Sequence, residues 1–60
     1  MTDTYRQLMA DEADDLGVEA AVLRDDARRA SDPLKAISLT VAARRCEQEA
    51  RELEARIRPH

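Results

Sequence analysis

The chain is 60 residues long, carries 13 acidic and 10 basic side chains for a net charge of −3, and is 43% apolar; a chain this short has one small core at most and sits near the limit at which that core outweighs conformational entropy. Eleven of the apolar residues are alanines and Tyr5 is the only aromatic, so the core must be thin, and no apolar run approaches the ~18 residues of a membrane-spanning helix. A single glycine excludes a phosphate-cradling loop, and a single histidine, His60, excludes the Glu-x-x-His di-metal bundles and histidine-dependent nucleophile sets.

Thr4-Tyr5-Arg6-Gln7 has the spacing of a capping box, so a first helix is expected to start there. From that point Met9, Ala13, Leu16, Ala20, Leu23, Ala27 and Ala30 recur at alternating steps of four and three, which keeps them on one stripe of a helix. In heptad letters the alanines Ala13, Ala20 and Ala27 are a, and Met9, Leu16, Leu23 and Ala30 are d. Gly17 interrupts the composition but not the phase of this stripe. The kept phase favours a continuous helix, with Gly17 marking a close approach of a second helix; the alternative is a helix end at Leu16-Gly17-Val18 with a left-handed glycine.

The chain turns at Ser31-Asp32-Pro33. Asp is a good N-cap, and proline at the first helical position gives up only an N–H that would have been unpaired. A second helix should begin at Pro33. Along it Ala36, Leu39, Ala43, Cys46, Ala50, Leu53 and Ile57 repeat the heptad design, alanines at a and Leu39, Cys46 and Leu53 at d. Pro59 is expected to stop this helix and leave His60 frayed.

These patterns predict an all-α fold: an antiparallel two-helix hairpin with an alanine-rich, coiled-coil-like seam, forming one domain over residues 1–60. The helices are expected over about residues 4–30 and 33–58 with a turn at about 31–32. Facing positions then have residue numbers summing to between ~62 and ~66, and the larger sum sets each large residue against an alanine, filling space better. On the exposed faces, Glu47–Arg51, Glu52–Arg56 and Glu54–Arg58 have the spacing of helix-stabilising ion pairs.

Some apolar residues lie off the seam. Val18 and Val22 on the first helix and Leu34, Ile37 and Val41 on the second all lie near the turn, while Tyr5 and Leu8 flank the seam at the open end. Two helices cannot use so wide an apolar coverage, so these residues are expected to contact a partner. Val18, Val22, Leu34, Ile37 and Val41 are the candidate partner-binding set. The expected partner is a second copy, completing a four-helix bundle by dimerisation, or a larger protein.

The expected function is thus that of a small non-catalytic interaction module: an accessory, regulatory or inhibitory subunit. No catalytic residue, cofactor, metal or small-molecule substrate is expected. Asp11, Glu12, Asp14 and Asp15 read as a solvated face, and Cys46 at a d position reads as a small buried hydrophobe. The alternative is a dimeric nucleic-acid-binding regulator that pools Arg24, Arg28, Arg29, Arg44 and Arg45. The negative net charge and the lack of interleaved aromatics oppose it, and pairing with the acidic first helix, such as Glu19 with Arg44 or Arg45, competes for the arginines. Basic residues are not segregated opposite bulky apolar ones, so no membrane surface is expected. A lone cysteine, and a beginning without a basic region followed by an apolar core, point to a cytoplasmic setting.

Overall fold

Three residues, Ala30, Ser31 and Asp32, reverse the chain between two long helices in the computed structural model, which describes residues 2–58. Helix α1 runs Thr2–Arg29 and helix α2 runs Pro33–Ile57, and they pack against each other as a hairpin. Asp32 has extended backbone, and its Oδ1 accepts from the N–H of Leu34 at 3.1 Å. Its carbonyl accepts the first intrahelical bond from Ala36 at 3.0 Å, so Pro33 sits where it forfeits no hydrogen bond. At the other end Arg58, which precedes a proline, is extended at φ −64° and ψ 131°. Pro59 and His60 lie outside the described residues.

The start of α1 differs from the expectation. The helix already includes Thr4, so the Thr4–Gln7 capping box does not form; Gln7 Nε2 instead donates to Asp11 Oδ1 at 3.0 Å. An additional half turn of helix puts Thr4 too far inside to cap it.

All fourteen seam positions are buried or half-buried: six on α1, Ala30 at its end in the turn, and seven on α2. Ala43, Ala20 and Ala13 are the most enclosed, with exposures of 0%, 2% and 4%. Small side chains at a let the backbones come close, and the larger residues at d cover their flanks. Ala13 shares a groove with Glu54 and Ile57. That neighbourhood belongs to the larger of the two register sums, the one that sets large residues against alanines.

Gly17 does not mark a close approach within the hairpin. Helix α1 continues through it without a positive φ, and a side chain there would meet nothing within 4 Å. Gly17 is an e position, one step off the seam, and its surface is open.

The hairpin is a single layer of helices, with Cα extents of 47 × 17 × 10 Å. Its radius of gyration is 14.1 Å, whereas a compact domain of this length measures about 10 Å. It exposes 4988 Å², against about 3,950 Å² for a folded chain of the same mass. Domains are ordinarily built from two layers.

Candidate functional site: an open helix face

The periodicity that buries the alanines also decides what stays outside. Around each helix the e and b positions lie beside the a side of the seam, and the g and c positions lie beside the d side. In an antiparallel pair the e positions of the two helices are neighbours. Arg24 and Glu47 are both e, and they meet: Arg24 Nη2 and Nε donate to Glu47 Oε1 and Oε2 at 2.5 and 3.2 Å.

This pair bridges the hairpin on one of its two broad sides. Its hydrogen bond to Arg24 holds the Glu47 carboxyl below the usual glutamate range against the opposing effect of burial, and Arg51 and Arg44 assist through space. Glu47 in turn raises the guanidinium of Arg24. The expected Glu47–Arg51 ion pair within α2 does not form, because Glu47 is taken by Arg24. Glu52–Arg56 and Glu54–Arg58 likewise do not come within ion-pair distance among the described residues. Glu19 makes no ion pair with Arg44 or Arg45, and acts instead on Cys46.

Turnward of the bridge the same side holds a groove of about 520 Å³, whose floor is Ala27 and Ala36 and whose walls include Ile37, Val41, Arg28 and Arg44. Thr40 also lines it, and its Oγ1 donates back to the Ala36 carbonyl at 2.8 Å, so the hydroxyl is satisfied within α2. A second groove lies on this side at the open end, lined by Ala10, Ala13, Asp14, Glu54, Ile57 and Arg58. The grooves are apolar at their floors and charged at their rims.

All five candidate partner-binding residues are exposed: Val18 by 65%, Val22 by 54%, Leu34 by 77%, Ile37 by 61% and Val41 by 43%. They divide into two groups. Ile37 and Val41 line the groove, with Leu34 one turn before them on α2. Val18 at f and Val22 at c lie on the outer side of α1 and line none of these grooves. The e and b residues Arg24, Thr40, Arg44 and Glu47 were absent from the candidate set; the signal for them was the e-to-e neighbour rule for antiparallel helices.

Of the five arginines considered for phosphate contacts, three hold carboxylates of the same chain. Arg24 pairs with Glu47, and Asp25 takes Arg28 at 3.4 Å and Arg29 at 3.0 Å. Burial at the seam raises the Cys46 thiol above its ordinary pKa, and the carboxylates of Glu19, Glu49 and Glu47 raise it further, which disfavours the reactive thiolate. Among the described residues no three acidic, cysteine or histidine side chains converge as a metal site would require. Among the described residues no helix is long and apolar enough to cross a membrane.

Comparison of the chain with known protein families, with curated proteins and with solved structures gives no match.

Proposed function

We propose that this hairpin is a small protein–protein interaction module that acts by binding rather than by catalysis, through the aliphatic residues outside its seam. One observation carries this reading: four of the five most enclosed apolar side chains are alanines, while seven large apolar residues stay exposed. The fifth enclosed residue is Met9, and Val18, Val22, Leu34, Ile37 and Val41 are among those in solvent. Burying a valine, leucine or isoleucine is worth about 1.5–3 kcal/mol, so a second layer placed on these residues gains more per side chain than the seam does from each alanine. The excess surface of roughly 1,000 Å² over a globular chain of this mass resembles what one partner contributes to a standard interface.

The layer that completes the fold is supplied by a second copy, giving a four-helix bundle, or by a larger protein that receives the hairpin as an accessory, regulatory or inhibitory subunit. A lone cysteine without a disulfide partner suits the reducing cytoplasm. Sedimentation equilibrium from micromolar to millimolar concentration, with circular dichroism on the same samples, tests the reading. Weak helicity in the isolated monomer is expected, rising when a partner layer is present. A fully helical, cooperatively melting monomer at every concentration would show that one layer sustains itself, and the reading would fail.

A further inference from the structure

We propose that the second layer is another copy of this chain, docked antiparallel and two-fold symmetric on the side bearing the Arg24–Glu47 bridge, with the two turns at opposite ends of the bundle. The inference rests on the interaction reading, adds the occupant, the face and the orientation, and narrows the aliphatic contact set to Leu34, Ile37 and Val41 on α2.

Charge complementarity selects the orientation. Arg44, Glu47, Arg51 and Glu54 occupy successive b and e positions along α2 and alternate in sign. A sequence of this kind is complementary to itself when reversed: α2 laid antiparallel on α2 of the other copy sets Arg44 against Glu54 and Arg51 against Glu47. Arg44, Arg51 and Glu54 make no ion pair with the described residues of their own chain, so they are available. A parallel two-fold dimer on this side would instead lay α1 on α2 of the partner at equal height. It would bring Arg24 onto Arg44 and set Asp14 between Arg51 and Glu54, so opposite charges do not pair along the contact as they do in the antiparallel dimer. Like charges facing each other across a contact suppress that arrangement.

The shape of the side agrees. Antiparallel docking also lays α1 on α1 across Gly17 near its midpoint, where the surface is open and a Cβ would meet nothing within 4 Å. Ala10 and Ala21 flank it on the same side, so the two α1 backbones can approach closely while Val41 enters the open-end groove beside Ile57. An isologous contact demands that a surface complement itself, and this side does so in charge and in relief. The area is also sufficient. One globule of twice the mass would expose about 6,600 Å², roughly 3,400 Å² less than two separate hairpins, and a standard interface removes about 1,600 Å² in all.

Charge reversal with sedimentation equilibrium decides the matter, helicity at high concentration serving as the folding control. Arg44→Glu is expected to raise the dimer dissociation constant tenfold or more, since it places two glutamates together twice per dimer, and adding Glu54→Arg is expected to restore it. Gly17→Gln separates folding from docking: glutamine favours helix, so helicity holds or rises while self-association falls. Val22→Asp, on the other side of α1, should leave the dimer intact. Tighter association of Arg44→Glu would mean a parallel dimer and overturn the orientation. A dimer broken by Val22→Asp but indifferent to Arg44→Glu and Gly17→Gln would overturn the face and leave the interaction reading standing. A loosely helical monomer up to millimolar concentration would overturn the second copy alone, whereas a rigid, fully folded monomer would overturn both.

Discussion

Asp32 satisfies a backbone donor that the turn would otherwise leave to water, because Pro33 has no N–H and Leu34 offers the first free one to the Asp32 carboxylate. Removing such a cap typically costs about 1 kcal/mol. Asp32→Ala is therefore expected to destabilise the hairpin by that amount in urea unfolding with an unchanged m-value, and Asp32→Asn to restore most of it. Glu47 has a pH signature. Its folded-state pKa lies below the ordinary value, with the hydrogen bond from Arg24 as the first cause. The stability this confers is complete above the unfolded pKa, about 4.3, and is lost as pH falls from there through the lower folded value. Both side chains are over a third exposed, so the effect is small, and comparison with Glu47→Gln isolates it from the other carboxylates. The wild-type chain should lose more stability than the variant between pH 5 and the acid limit; equal losses would mean that the bridge does not persist in solution.

At the scale of the helices, Gly17 separates intrinsic propensity from packing. In a helix interior glycine costs about 1 kcal/mol relative to alanine, and the open surface above it leaves room for a methyl group. Gly17→Ala is expected to raise helicity and stability of α1 by up to that amount at dilutions where the chain is a monomer, read by circular dichroism during urea unfolding. A loss of helicity there would mean that α1 is not continuous through residue 17. The seam was legible in sequence because alternating steps of three and four leave a helix only one stripe to bury, and every Leu and Ala on that stripe is covered. The open side was less so. The phase of Gly17 showed that α1 continues, but a glycine one step off the seam reads equally as a close approach or as bare surface until the partner helix is placed. For the Glu47–Arg51 pair the reason is related: spacing of four within α2 says nothing of an arginine on α1 that reaches Glu47 first. The division of the five aliphatic residues into an α2 group in the groove and an α1 group outside it likewise follows only once the hairpin is closed.

For the molecule as a whole, thickness is the controlling quantity. A single layer 10 Å deep between Cα extremes covers each helix on one side, and its seam of alanines yields little area per residue to set against the entropy of ordering 60 residues. Stability that depends on a second layer must depend on how often that layer is present. If two copies supply it, folding and association share one equilibrium, and unfolding releases two chains for each bundle lost. Each tenfold rise in concentration then adds about 1.4 kcal/mol per dimer. The unfolding entropy is near 2.1 cal/mol/K per residue, which over both chains converts that increment to a rise in melting temperature of about 5 °C per decade. Thermal unfolding followed by circular dichroism over three decades of concentration reads this slope directly. With Arg44→Glu the slope persists but the whole series shifts to lower temperature, because association is weakened and its stoichiometry is not; with Arg44→Glu combined with Glu54→Arg the series returns toward the wild-type line. A melting temperature that does not move with concentration would place all of the stabilising area inside one chain, contrary to a seam whose most enclosed residues are alanines.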